Sequence, residues 1–390
     1  MLNVAVVGAG IAGLTTAAAL ARAGIPCQVY EQAAVLGEVG AGVQLAPNAT
    51  RLLRRLGETR LGERAVTPAA IEMRRWQDGG VLARTVLGQA CVDRFGAPYY
   101  TFHRADLHRC LLDLMPAGTV VLGRKCAGVR ETPDGAELRF ADGETVAADL
   151  VIGADGIHSA VRRLLATDHP RFSGEAIYRG LVPADRVPHL VAEPKVMLWV
   201  GPGRHCVSYP VAGGELVNFV ATTPVTDGWQ TESWIAPGRM ADLLAGFAGW
   251  HDEIQTLLSG ADAVTKWALH DREPLERWSG ERVTLVGDAA HPMLPFAAQG
   301  ANQAVEDAFV LAECLRHADR DTVPAALRRY ESLRVPRTTD VQRRSRANQR
   351  QFNLTDEERR PDDGEANLAG LAALYGYDAE AEARAALTDR

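Results

Sequence analysis

The chain has 390 residues, a formal net charge of −7, 47% hydrophobic and 23% charged residues, the balance of a soluble globular protein large enough to form two lobes. The acidic charge, with no Lys/Arg run interleaved with aromatics, argues against a nucleic-acid surface. Six cysteines, at 27, 91, 110, 126, 206 and 314, show neither CxxC nor Cys/His ligand spacing; they read as reduced thiols in a cytoplasmic protein, with no metal site.

Val4-Ala5-Val6-Val7 reads as a strand, Gly8-Ala9-Gly10-Ile11-Ala12-Gly13 as a GxGxxG turn, and Leu14 to Ala23 as a helix of small residues closed by Gly24. This apolar stretch lacks a basic flank, so it reads as neither signal peptide nor membrane span. A second strand, Cys27 to Tyr30, ends at Glu31, 18 positions after Gly13. Strand, glycine turn, helix, strand and acid in that order form a dinucleotide-binding unit: the pyrophosphate approaches the glycines and helix start, and the acid reaches a ribose. A Gly-rich loop with a Pro-Asn turn follows, Gly37 to Ala49, containing Val43. Leu52, Leu53 and Leu56 suggest a short helix, and Ile71 to Thr85 suggests strands. Phe102 to Leu112 is amphipathic, with Arg104 near its start; a guanidinium there suits a phosphate, the alternative being a solvated arginine on a helix face.

Residues 119 to 153 alternate as strands around Pro133-Asp134-Gly135 and Asp142-Gly143, a small meander. It feeds the apolar run Leu150-Val151-Ile152 and the turn Gly153-Ala154-Asp155-Gly156, which also reads as a plain structural turn. From about 165 to 270 the texture is β-rich with Gly/Pro turns, implying a separate antiparallel sheet and a ligand cleft between lobes. His205 and Tyr209, four apart on one strand of that region, share a face; they suit an acid–base pair, or equally a satisfied sheet histidine and a core tyrosine. Met240 to Leu258 is helical. Val283 to Val286 is a buried strand; Gly287 ends it, and Asp288 stands at its carboxyl end, where open α/β sheets place ligand groups. Pro292 and Pro295 force an extended path before a helix begins at Gly300, aiming free N–H groups above Asp288. The tail from 337 is Arg-rich, then acidic.

The run Gly287-Asp288-Ala289-Ala290-His291, with Pro295, Gln299-Gly300 and Glu306-Asp307-Ala308, resembles the second flavin motif of single-component FAD-dependent aromatic hydroxylases. Para-hydroxybenzoate, salicylate and 6-hydroxynicotinate hydroxylases belong to that group. Leu150 to Arg162 is similar to the family's middle Asp-Gly motif, His103-Arg104 to its arginine-bearing helix, and Leu374-Tyr375-Gly376-Tyr377-Asp378 to its terminal signature. The resemblance implies an α/β fold: a Rossmann-type FAD-binding lobe (1–165 and 271–340), an inserted antiparallel β-sheet substrate lobe (166–270) and a C-terminal helical extension (341–390). It implies FAD held by Gly8, Gly10, Gly13, Glu31, Val43, Arg104 and Asp155, with Asp288 on the ribityl chain and Gly300, Ala301 and Asn302 at the flavin's pyrimidine end. His205, Tyr209 and Pro295 are then the catalytic candidates. The implied activity is hydroxylation of a phenolic or heteroaromatic small molecule through a flavin hydroperoxide, using dioxygen and NADH or NADPH. The nicotinamide binds transiently, because only one complete GxGxxG unit is present. The enzyme is expected in the cytoplasm as a monomer or homodimer. Two other classes stay open: a flavin-dependent reductase or dehydrogenase without oxygen insertion, and a flavoprotein-like binding module. Two positions depart from the pattern. Ala298 stands where many relatives carry glycine, and Phe296 where the hydroxynicotinate branch can carry histidine.

Overall fold

A computed structural model describes residues 2–37, 41–57, 61–225, 228–229, 231, 236–354, 358 and 368–388. Part of the Gly-rich loop, 38–40, lies outside the described residues. Val4–Val7, Leu150–Gly153 and Val283–Leu285 are short, wholly buried apolar runs, the pattern of strands covered on both faces. They belong to a five-stranded sheet in the order Val283–Leu285, Leu150–Gly153, Val4–Val7, Cys27–Tyr30, Val120–Val121. Every pairing in it is parallel, so all the carboxyl ends open on one side. Gly8, Glu31 and Ala154 follow three of those ends directly, and Gly287 comes one residue beyond a fourth.

Helices Ile11–Arg22 and Gly300–Leu315 pack on each other beside this sheet. Gly13 is fixed by packing: a Cβ there would lie 1.9 Å from the Gly8 carbonyl oxygen. Gly8 combines a φ of +102° with a Cβ position only 2.6 Å from the Ala154 carbonyl oxygen, so two motifs distant in sequence meet through a residue without a side chain. The 126–148 meander forms a three-stranded antiparallel sheet against the same core.

A second, seven-stranded sheet runs in the order Val264–Asp271, Arg171–Pro183, Leu216–Pro224, Arg204–Val211, Lys195–Gly201, Ala70–Arg75, Val81–Val86. It differs from the expectation in two respects. Its last two strands come from outside 166–270, and Lys195–Gly201 runs parallel, not antiparallel, to Ala70–Arg75. The strand pattern at 71–85 was visible in sequence, but a partner some 120 residues away leaves no local trace. The stretch from 240 to 258, expected to be helical, forms two helices, Met240–Gly246 and Asp252–Ser259. Gly249 turns the chain at φ +77°, and the His251 side chain accepts from Glu253 N to cap the second helix.

The 30-residue helix Val323–Phe352 bridges the two sheets, and its last turn reaches the seven-stranded one. Its Arg334 is fully buried and bonds both Glu306 and Asp307 of helix Gly300–Leu315. Burial pushes Asp307 up, but His291 and Arg334 outweigh it and hold the carboxyl below its ordinary range. Asp307 in turn accepts from Gly287 N and binds His291 Nε2 at 2.6 Å. The Gly287–His291 turn is thereby locked to the helix that follows it.

Candidate active site

Between the carboxyl ends of the parallel sheet and one face of the seven-stranded sheet lies a cavity of about 980 Å³. Of the residues singled out in sequence, Gly8, Gly10, Glu31, Val43, Arg104, Asp155, His205, Tyr209, Asp288, Pro295, Gly300 and Ala301 line it. Gly13 and Asn302 do not.

At the dinucleotide end, a Cβ added at Gly10 would meet nothing within 4 Å. The start of helix Ile11–Arg22 therefore opens on free space, a cradle for a pyrophosphate. Each Glu31 oxygen accepts a backbone N–H, from Ala9 at 2.8 Å and from Ala33 at 2.8 Å. The acid thus braces the glycine turn and keeps lone pairs for a ribose hydroxyl. Asp155 differs from the expectation. Its carboxylate turns into its own loop, accepting from Ser159 Oγ (2.5 Å), Ala160 N (2.6 Å) and Val161 N (3.3 Å). It shapes the turn, and Gly156 beside it also faces the cavity.

Deeper in, Asp288 lines the cavity, an exposed side chain within a recess that the protein surrounds. Burial raises its carboxyl pKa, while His291 and Arg104 pull the other way. Arg104 enters at the start of helix Arg104–Asp113, pinned by its backbone N–H to Ala41 O at 2.7 Å. Gly300 and Ala301 open the first turn of the next helix onto the same space. A cation, a carboxylate and two helix starts spread along one cavity suit FAD: anion donors at each end and an acceptor for hydroxyls between.

Asn302, expected to face the flavin, has its side chain committed to the protein. It accepts from Ala46 N (2.7 Å) and donates to Gln44 O (3.0 Å) and Ala298 O (2.8 Å), tying the Gly42–Leu45 strand to the Pro295–Gly300 loop. Ala298 takes the left-handed conformation, φ 51° and ψ 37°; a glycine would adopt it without the cost of about 1 kcal/mol that a Cβ brings. The carbonyl of Pro295 likewise stays within its own turn, accepting from Ala298 N at 2.9 Å.

The far end is roofed by one face of the seven-stranded sheet. His205, Val207 and Tyr209 alternate along one strand, and Thr222 and Val220 stand opposite on the next. His205 is wholly buried, and desolvation lowers its pKa to about 4 against a hydrogen-bonding effect of Asn353. Tyr209 is pushed up to about 12 by burial, opposed by Arg179 and Gln44. Pocket residues missed in sequence complete the wall. Arg179 stacks its guanidinium 4.4 Å from the centroid of Trp267, and burial pulls it down to about 10. Tyr99 donates to Gln44 Oε1 at 2.6 Å and sits 5.9 Å, ring to ring, from Tyr375 of the C-terminal segment. A charged side chain inside the apolar run from Ile177 to Val182 was the available signal for Arg179.

Known proteins align with this arrangement over nearly the whole chain. The family described as FAD binding domain matches residues 1–345. The chain is 53% identical to 3-amino-4-hydroxybenzoate 2-monooxygenase PtmB3 of Streptomyces platensis, covering 97% of this chain and 96% of that protein. It is 38% identical to 6-hydroxynicotinate 3-monooxygenase of Bordetella bronchiseptica, covering 89% and 91%. Among solved structures, a salicylate hydroxylase substrate complex superposes with a TM-score of 0.85 at 32% identity, covering 100% of this chain and 98% of the other.

Proposed function

The chain belongs to the single-component FAD-dependent aromatic hydroxylases, monooxygenases that draw on NAD(P)H and dioxygen, and we propose that its substrate is a phenolic benzoate with hydroxyl and carboxylate at opposite ends of the ring, as in 3-amino-4-hydroxybenzoate. The observation that carries this reading is Arg179: a half-buried, desolvated guanidinium on the wall of an otherwise largely apolar chamber that also holds His205 and Tyr209. A carboxylate is the group such a cation recognises, and its planar fork matches two oxygens at once. Phe296, in edge-on contact with His205 at 5.2 Å, supports a carbocyclic ring over a hydroxynicotinate. A reductase that inserts no oxygen is not favoured, since the relatives are named for oxygen insertion.

Bound in the cavity, FAD supplies the redox chemistry that activates dioxygen. The chain's share is placement. Gly8 and Gly10 with the start of helix Ile11–Arg22 receive the pyrophosphate, Gly13 keeps that turn closed, and Glu31 takes the adenosine ribose. Asp288 accepts from ribityl hydroxyls. Arg104 and the helix start at Gly300 and Ala301 donate to the flavin ring, beside Val43. Asn302, Asp155 and Pro295 hold the loops that shape this bed. His205 and Tyr209 lie about 13 Å apart along their strand, too far to serve one oxygen, so they bracket the ring. His205 attends the hydroxyl to be activated, and Tyr209 and Arg179 serve the acid end. Apolar neighbours Ile71, Val196, Leu198 and Val220 exclude water.

We also take the enzyme to work in the cytoplasm as a monomer or homodimer. Its six thiols are all free, and no helix among the described residues is long and apolar enough to cross a membrane. The test is product formation with FAD-loaded enzyme and NADH or NADPH against 3-amino-4-hydroxybenzoate, salicylate, 6-hydroxynicotinate and 2-aminophenol, the last lacking a carboxylate. The first is expected to be hydroxylated with tight coupling; a preference for a substrate without a carboxylate overturns the reading.

A further inference from the structure

We propose that Thr222, and not His205 itself, meets the substrate hydroxyl, and that Asn353 and Glu175 behind His205 orient the imidazole so that it draws the proton through Thr222. This deepens the phenolic-acid reading above and rests on it. His205 Nε2 lies 3.0 Å from Thr222 Oγ1, in a fully buried contact. The rings of Phe296 and Phe352 stand edge-on to the imidazole, at 5.2 and 5.4 Å between centroids. Its other nitrogen, Nδ1, is buried with no formed hydrogen bond, and so is Asn353 Oδ1. Asn353 lies near enough to the imidazole to favour its charged form, so the two unpartnered atoms are the natural complements of each other.

Asn353 cannot present either end at will. Its Nδ2 donates to Glu175 Oε1, and Glu175 Oε2 is held by Gln349 Nε2 at 2.8 Å. With the amide nitrogen turned to a carboxylate, the amide oxygen is the Asn353 atom left without a partner; offered to the histidine, it places the imidazole proton on Nδ1. Nε2 becomes the acceptor, and the Thr222 hydroxyl donates to it. The lone pairs of Thr222 Oγ1 remain, on a residue of the cavity wall that is itself fully buried, so a ring reaches them only by pressing against that wall.

A phenol seated there donates to Thr222 Oγ1. When its O–H bond breaks, that proton forms a new bond to Oγ1 while the threonine's own proton passes to His205 Nε2; the electron pair stays on the phenolate oxygen. The proton returns by the same path when the hydroxylated ring becomes a phenol again. Burial disfavours a lone imidazolium, but the phenolate–imidazolium pair is neutral overall and loses far less by being enclosed. Asn353, aligned by Glu175, turns the negative end of its dipole toward the charged ring.

The test uses FAD-loaded full-length enzyme with 3-amino-4-hydroxybenzoate and three variants: Thr222→Val, which keeps the shape and deletes the hydroxyl, Thr222→Ser, which restores it, and Asn353→Leu. Product formed per NAD(P)H oxidised is measured, together with the phenol-to-phenolate absorbance change on anaerobic binding to the oxidised enzyme. Thr222→Val is expected to lose product turnover by about tenfold or more, the lower part of a proton-transfer contribution, with KM nearly unchanged and no phenolate signal. Thr222→Ser restores both, and Asn353→Leu falls between. A Thr222→Val enzyme with wild-type coupling and phenolate signal overturns the relay, as does loss of both in Thr222→Ser. A wild-type enzyme that neither binds nor hydroxylates any phenolic acid overturns the underlying reading as well.

Discussion

Replacing Arg179 by Met removes the cation and keeps an unbranched chain over Trp267, where the guanidinium now stacks at 4.4 Å. Arg179 is half-buried in the cavity wall and desolvated by the protein around it, so a ligand that fills the cavity leaves little solvent to screen its attraction for a carboxylate. A hydrogen bond to a charged group contributes about 1.5–3 kcal/mol; one such bond lost raises Kd about 10- to 150-fold, and a bidentate pair raises it further. Burial draws the guanidinium only to about 10, so the effect is the same throughout the neutral range. The assay compares 3-amino-4-hydroxybenzoate with 2-aminophenol, the same ring without its carboxylate, by flavin absorbance titration and by KM. Wild type prefers the acid; the variant loses that preference while its affinity for 2-aminophenol stays within about twofold, the scale of a lost packing contact. Parallel loss for both ligands means general damage to the wall, and unchanged discrimination means the carboxylate is held elsewhere. Either result refutes the assignment.

Asp288→Ala is expected to purify folded but nearly free of FAD, since charge-assisted bonds to ribityl hydroxyls contribute on the order of 2 kcal/mol or more; full flavin absorbance in the variant contradicts this. Glu31→Ala should weaken FAD binding, through the ribose and through loss of the brace on Ala9 N, yet regain wild-type turnover at saturating FAD. Turnover that stays low when saturated assigns Glu31 another role. His205→Ala and Tyr209→Phe are expected to keep FAD and lose coupling, with a larger share of NAD(P)H oxidation ending as hydrogen peroxide; wild-type product ratios in both reduce the pair to packing. His205 also makes the fold acid-sensitive. Its folded pKa of about 4 lies below its ordinary value of 6.5, so the unfolded chain binds a proton first. The neutral imidazole's stability is complete above pH 6.5 and declines as pH falls toward 4, by up to about 3 kcal/mol. Thermal midpoints should therefore fall more steeply between pH 7 and 5 in wild type than in His205→Gln, and equal slopes contradict the burial argument.

The dinucleotide half was legible because its signals are local. A β-branched run, glycines at fixed offsets and an acid at the next strand end need no knowledge of the rest of the chain. Asp288 and the helix start at Gly300 were readable for the same reason. The substrate half was not, because its wall is assembled across strands. Arg179, Thr222 and His205 come from three strands and meet only through the register of the sheet, which no spacing records. Asp155 and Asn302 show the opposite limit. Their motif positions were evident, but whether a side chain faces a ligand or braces its own loop depends on the nearest N–H or carbonyl. Tyr375 belonged to a tail read as an extension, yet it packs on Tyr99 and Phe95 and closes the chamber.

The central claim, that this cavity puts one oxygen atom on a carboxylated phenol, is tested most directly with isotopically heavy dioxygen. FAD-loaded enzyme, NAD(P)H and 3-amino-4-hydroxybenzoate are incubated under the labelled gas, and the product is analysed by mass spectrometry. One heavy oxygen atom per product, with nearly one product per NAD(P)H consumed, is the expected result. NAD(P)H consumption with all the label recovered as hydrogen peroxide, for this acid and for salicylate alike, contradicts the account.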